Sequence, residues 1–338
     1  MDVASYQFTE TVQNYEYPAG KTGTASATSI PAVANPLYKK FGDWPQTIKA
    51  DGVTVGSGTL VRGGLSYHVG SDGNYYVKAA EKAYGSGKEY KYSDGTQAGQ
   101  GGTSEKWFKV EPIIWRVLNA KDGKYNESEN PLLLAENILT GGIEWHTNQN
   151  NYMESNIRKW LNGNSGSGAQ SDYNGAAGFL QTAFTPEAQK LITPTTVDNS
   201  VTSTLPNTLT EEQKKRRKWN NGQNDYVCGN TTDKIFLLSE QEATKSDYGF
   251  AEFDAGGQGD ARIRVTTDYA KATEALQDFT VGYGGRWWLR SPECLNSFNA
   301  YSISYIGSAD GNATFVGSDF VNEGAGVVPA LSISINGN

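Results

Sequence analysis

The chain is 338 residues long, enough at roughly 150 residues per domain for one large or two ordinary domains with a sizeable core. Lys and Arg total 29 against 37 Asp and Glu, and the resulting net charge of −8 argues against a general nucleic-acid or anionic-membrane binder. Glycine, at 39 residues, runs about half again above its usual share, while 8 Trp, 19 Tyr and 12 Phe keep the chain rich in rings, a mix that favours strands and loops over helices.

Residues 1–35 are rich in Ser, Thr, Ala and Gly, are punctuated by Pro18 and Pro31, and carry neither a strand nor a helix period, so they are expected to form an extended N-terminal arm. They also lack a basic start followed by an apolar run; an exported form would have had its leader removed. Residues 36–338 read as the main domain. Tyr67-His68-Val69 and Tyr75-Tyr76-Val77 flank Gly70-Ser71-Asp72-Gly73 and predict a hairpin turning at Asp-Gly. Ile113 to Leu118 and Leu132 to Ala135 predict buried strands. Ile157, Trp160 and Leu161 fall at helical spacing behind Ser155 as N-cap, and Pro186 to Ile192 predicts a second helix capped by Thr185.

A polar insertion around 193–226 contains Lys214-Lys215-Arg216-Arg217-Lys218 directly after Glu211 and Glu212, which reads as a solvated helix rather than a nucleic-acid patch. Ile235 to Leu238 predicts another strand, Ser239-Glu240-Gln241-Glu242 the start of a short helix, and everything from Trp287 onward strands and turns. The longest apolar runs, such as Pro112 to Trp115 and Ile235 to Leu238, fall far short of the roughly 18 residues of a membrane span.

Chemistry-bearing motifs are sparse. His68 and His146 cannot supply a three-histidine metal site, and the chain has no Gly-x-Ser-x-Gly, His-Glu-x-x-His, Gly-x-x-x-x-Gly-Lys-Ser/Thr or Cys-x-x-Cys sequence. Gly256-Gly257-Gln258-Gly259 reads as a loop. Cys228 and Cys294 read as two unrelated thiols, with one bridge or a reactive pair as the alternatives. No cofactor, metal or catalytic residue is expected.

The informative region is the C-terminal one. Gly284 to Pro292 is a dense aromatic strand and Gly326 to Leu331 a second apolar one. Between them, residues 293–325 contain no Lys, Arg, His, Trp, Met or Gln and are built from Asn, Ser, Gly, Asp, Ala, Thr and scattered rings. That palette matches binding surfaces in which rigid aromatics supply area and short polar groups supply adaptable hydrogen bonds. An ordinary Gly-rich hairpin segment would have a similar composition.

A set of ordered segments resembles one domain family, DUF6273. They are Phe41-Gly42-Asp43-Trp44-Pro45-Gln46, Trp107 to Leu118, Leu132 to Leu139, Ser155-Asn156-Ile157-Arg158, Ala183-Phe184-Thr185 and Asp233 to Glu240. The family's closing signature, Trp-x-Leu-Arg-Ser-Pro followed some thirty-five residues later by Gly-Val-x-Pro-Ala-Leu, is present at Trp287 to Pro292 and Gly326 to Leu331. The resemblance spans residues 41–331. Val328 stands where the commonest family ending has Arg, as in a subgroup of surface lipoproteins.

The resemblance implies an α+β, C-type lectin-like fold, with short helices packed on small antiparallel sheets and a long irregular variable segment. It further implies a variable protein of a diversity-generating retroelement, in which adenines of a C-terminal coding window are replaced. An AAC codon treated in this way yields Tyr, Ser, Asp, Ala, Gly, Phe and others but never Lys, Gln, Glu, Met or Trp; Glu293 and Glu323 need another origin. The expected role is a cell-surface adhesin or receptor, attached through a lipid anchor that this sequence lacks, binding a protein or glycan on a host or neighbouring cell without calcium, protein being favoured.

The expected variable face comprises Glu293, Leu295, Asn296, Phe298, Asn299, Tyr301, Ser302, Ser304, Tyr305, Asp310, Asn312, Phe315, Asp319, Phe320 and Asn322, with Ala300 and Ile303 as framework. Strict alternation puts Tyr301 and Tyr305 on the side of Ile303, so their exposure requires a bend or bulge. A fixed module of the cell envelope is the alternative, and an oxidase of formylglycine-generating type, requiring Cys228 and Cys294 to approach, is a further one.

Overall fold

The computed structural model describes residues 8–18, 37–87, 90–121, 124–125, 129–163, 178–204, 228–250, 261–277, 284–293, 297–308 and 311–334. Along them run β1 (Gln13–Tyr15), β2 (Tyr38–Ile48), β3 (Val55–Arg62), β4 (Leu65–Gly70), β5 (Tyr75–Ala80) and β6 (Glu105–Val117). The pair β7 (Ala120–Lys121) and β8 (Lys124–Tyr125) comes next, then β9 (Leu132–Ala135) and β10 (Asn137–Ile138). Three short helices follow, α1 (Asn156–Asn162), α2 (Phe179–Ala183) and α3 (Pro186–Leu191), before β11 (Ile192–Thr193), β12 (Thr195–Val197), β13 (Thr231–Asp233), β14 (Ile235–Phe236) and β15 (Val265–Thr266). Helix α4 (Asp268–Ala272) precedes β16 (Trp287–Pro292), β17 (Asn299–Ser308), β18 (Gly311–Phe320) and β19 (Ala330–Ile333). The chain is thus mixed α+β, with mostly antiparallel sheets and few short helices. Among the described residues no helix is long and apolar enough to cross a membrane.

Ten strands join in the main sheet, which runs β11-β19-β9-β6-β5-β4-β3 with β2 also on β6, β1 on β2 and β14 on β19. β6 organises it. Phe108 and Val110 are buried in one phase of its alternation and Ile113 and Trp115 in the other. The slip between them falls at Pro112, which faces Asp43 where the β2 register shifts, so the bulge accommodates a residue with no N–H to give the ladder. The predicted hairpin forms with Tyr67 opposite Val77 and Val69 opposite Tyr75, and Gly73 adopts φ +80° in its turn.

The helices bury their apolar faces on this sheet. Ser155 Oγ accepts the Arg158 amide at 3.2 Å to start α1, and Thr185 Oγ1 accepts that of Ala188 at 3.2 Å to start α3, with Pro186 in the first turn. Ile192, expected to end that helix, instead opens β11 opposite Ile333, where a β-branched side chain packs without helical crowding. Helix α2 brings Phe179 to 4.9 Å from Trp44, and Phe184 just beyond it lies 4.9 Å from Phe41. A Cβ on Gly178 would meet the Trp160 carbonyl oxygen at 1.9 Å, so the close approach of α1 and α2 requires glycine there. Ser239 and Glu242 exchange side-chain and backbone hydrogen bonds at 3.1 and 2.8 Å, and a 3-10 turn follows at Glu242–Thr244.

The described part of the N-terminal segment lies on the sheet. β1 pairs with β2, Thr9 donates its N–H and hydroxyl to the buried Asp43 carboxylate at 2.8 and 2.9 Å, and Phe8 packs edge-on to Tyr67 at 6.0 Å. The basic run Lys214 to Lys218, the loop Gly256 to Gly259 and Cys294 lie outside the described residues.

Candidate functional site

A second sheet, β16-β17-β18, carries Asn299–Ser308 and Gly311–Phe320 of the 293–325 segment. Its inner strand β16 is buried throughout, and its signature residues are framework. Arg290 reaches across to the Leu237 carbonyl at 2.8 Å, the Glu242 carboxylate at 2.5 Å and the Asp198 carbonyl at 3.0 Å, while Ser291 Oγ accepts the Glu240 amide at 2.8 Å. The closing Gly-Val-x-Pro-Ala-Leu segment runs beside it. Gly326 N–H donates to the Arg286 carbonyl at 2.8 Å, and a Cβ on Gly326 would meet Ile138 Cγ2 at 2.3 Å, so only glycine fits. Trp288 and Trp115 are both fully buried, in keeping with a framework role.

β17 lies between β16 and β18 and pairs with β18 over its whole length, from Asn299 opposite Phe320 to Ser308 opposite Gly311. Ala300 and Ile303 are buried, as expected for framework. Tyr301, Ser302 and Ser304, expected to be exposed, are only 7%, 0% and 2% exposed, a correction to that expectation. The physical reason is that this part of the strand is covered on both faces, so alternation turns neither set of side chains to solvent. Asp319, expected on the polar rim, accepts a hydrogen bond from Ser302 Oγ and pairs with Arg286, tying β18 to β17 and to the start of β16.

The exposed rings sit at one end of this sheet. Phe298 and Phe320 are 55% and 53% exposed, and the Val321 N–H donating to the Phe298 carbonyl at 2.9 Å joins the two stretches of backbone that carry them. Asn322 is exposed beside them, and Glu293 and Asn299 are half-buried. Exposed Tyr84 lies nearby, its Cδ2 3.7 Å from where a Cβ on Gly324 would sit. Tyr305, Asn312 and Phe315 occupy the β17–β18 hairpin, opposite Thr314, Gly307 and Ser304. Leu295, Asn296 and Asp310 lie outside the described residues.

The holder of this segment was not expected from sequence. Trp145 Nε1–H donates to the Leu289 carbonyl at 2.8 Å, and His146 N–H to the Val321 carbonyl at 3.1 Å. Asn150, 3% exposed, donates its amide to the carbonyls of both Glu293 and Asn299, at 2.9 and 2.7 Å. Glu293 N–H also donates to the Asn299 carbonyl at 3.0 Å, so Asn150 ties the backbone at Glu293 to that at Asn299. His146 Nδ1 accepts the amides of Asn148 and Gln149, folding the loop that presents Asn150. The only sequence signal was the amide-rich run Asn148-Gln149-Asn150-Asn151, which reads equally as any polar turn.

Among the described residues no three His, Cys, Asp or Glu side chains gather as a metal site. Cys228 is half-buried, and burial pushes its thiol pKa up, away from the thiolate that nucleophilic or redox chemistry uses.

A family model described as a domain of unknown function, DUF6273, matches residues 128–335. No curated protein matches the chain. No solved structure matches it.

Proposed function

The chain belongs to the DUF6273 family, and on that premise we propose that it is a ligand-binding surface protein, an adhesin or receptor, whose C-terminal face is diversified by a retroelement on a C-type lectin-like fold. The supporting observation is how the segment is held. Trp145, His146 and Asn150 take hold of β16, the backbone at Glu293 and Asn299 and the residue after β18 through main-chain carbonyls, which persist whatever side chain the codon specifies. Exposed side chains such as Phe320 and Asn322 can therefore change while the backbone stays in place. Ser302 and Asp319 are held by their side chains and belong to the fixed part.

Exposed rings at Phe298 and Phe320, with exposed Asn322 on the same stretch of chain, suit a protein ligand, since aromatic anchors supply most of the contact energy at such surfaces. A glycan stacked on the rings is the second candidate; the Glu-Pro-Asn and Gln-Pro-Asp triplets of calcium-dependent lectins are missing from the sequence. The ligand is expected on a host or neighbouring cell, and the protein at the cell surface on a lipid anchor.

The test is binding of the fluorescently labelled protein to panels of animal and bacterial cells, with and without EDTA and after protease treatment of the cells. Binding that survives EDTA, falls after protease and is lost in a Phe298→Ser/Phe320→Ser variant supports the reading. Binding that needs calcium or is indifferent to the double substitution overturns it and favours a fixed envelope module.

A further inference from the structure

Beside β6, where the main sheet meets the β10–β15 pair, the described residues bury charges that do not balance. Arg116 on β6 pairs side-on with Glu136, its Nε and Nη2 donating to the two carboxylate oxygens at 3.1 and 2.7 Å. Arg264 comes against the same carboxylate, its Nη1 donating to Oε2 at 2.6 Å, because parallel pairing of Asn137 with Val265 sets Glu136 beside Arg264. The three side chains are 2%, 0% and 0% exposed, and together carry two positive charges and one negative, a net of +1.

Glu136 accepts three hydrogen bonds from these donors, two of them on Oε2. Among the described residues, Arg264 Nε and Nη2 and Arg116 Nη1 are buried with no hydrogen-bond partner. The surrounding phenols supply no balancing charge: Tyr38 faces Arg116 across the β2–β6 register, Tyr17 stands edge-on to Tyr38 at 4.9 Å, and burial raises the pKa of both. An uncompensated buried guanidinium is costly, and orphaned donors of this kind mark a missing water or ion.

The identity of the unused atoms carries the inference. Nε–H and Nη2–H form the side-on edge of a guanidinium, the same edge with which Arg116 grips Glu136. It offers two parallel donors matched to a planar oxyanion. We propose that Arg264 holds a small carboxylate anion at the junction of the β10–β15 pair with β6, bidentate on Nε and Nη2, which neutralises the Arg116–Glu136–Arg264 cluster. Such a ligand is structural, and its site is independent of the variable face.

Formate is the probe. The full chain, equilibrated overnight at constant ionic strength in sodium formate or sodium chloride, is expected to melt about 3 °C higher in formate, saturably. Carbon-13-labelled formate should show one bound population per chain, and a crystal grown in formate should place both oxygens on Arg264. Arg264→Lys keeps the charge but removes the edge, and should lose the formate-dependent rise. Equal melting in the two salts, no bound formate by NMR, or water alone at Arg264 in the crystal overturns the assignment, and these wild-type readouts decide it even if Arg264→Lys fails to fold.

Discussion

Replacing Asn150 by Ala removes both donors that tie the Glu293 and Asn299 carbonyls together. Each hydrogen bond contributes about 1 kcal/mol net, and a buried carbonyl left without a donor costs about 1–3 kcal/mol. With both bonds well formed, at 2.9 and 2.7 Å, and the residue 3% exposed, the expected loss is about 2–4 kcal/mol. Asn150→Asp should be at least as damaging, since it keeps the shape but turns a carboxylate toward two carbonyl oxygens. Urea unfolding measures the total. Hydrogen exchange localises it: the Glu293 amide, bonded to the Asn299 carbonyl, and the Val321 amide, bonded to the Phe298 carbonyl, should lose protection before the main sheet does. A loss under about 0.5 kcal/mol with Glu293 protection unchanged would refute the argument that Asn150 holds the loop.

Tyr301→Ala should cost about 3–5 kcal/mol as a buried ring, whereas Phe298→Ala and Phe320→Ala should each stay within about 0.5 kcal/mol; thermal or urea unfolding that reverses this order would invert the assignment of core and face. Trp115→Ala should cost about 3–5 kcal/mol by the same measurement, since the ring is fully buried and its Nε1–H donates to the Phe41 carbonyl at 2.7 Å. Burial raises the pKa of Glu81, but hydrogen bonds from Ser104, the Gly99 amide and the Tyr92 hydroxyl outweigh it and hold the carboxyl below its ordinary 4.5. The stability this contributes is present above pH 4.5 and is lost as pH falls through the lower folded value, so Glu81→Gln should flatten the acid limb of a stability–pH profile; an unchanged limb would contradict it.

Local signals were legible where short-range physics decides the outcome. The Asp-Gly hairpin at Tyr67 to Val77, the Ser155 and Thr185 caps and the strand Leu132–Ala135 all follow from turn chemistry, capping and apolar runs, and each forms where the sequence places it. Helices α2 and α4 are five residues each, too short to carry a period, and exist through packing against β2. Exposure along β17 was not legible, because composition marks the segment but cannot tell that both faces of Tyr301 to Ser304 are covered. Asn150 was equally hidden: its partners lie 143 and 149 residues away, and both are backbone atoms that leave no trace in side-chain identity. The buried Arg116–Glu136–Arg264 cluster joins residues up to 148 positions apart, since 264 − 116 = 148, and no local pattern announces it.

Sequencing the codons for residues 293–325, with flanking DNA, from many cells of one lineage tests the central claim most directly. The account predicts adenine-linked substitutions concentrated at exposed positions such as Phe298, Phe320 and Asn322, constancy at Ser302 and Asp319, and a near-copy template close by. An invariant window without a template, or changes spread evenly over buried and exposed positions, would contradict it.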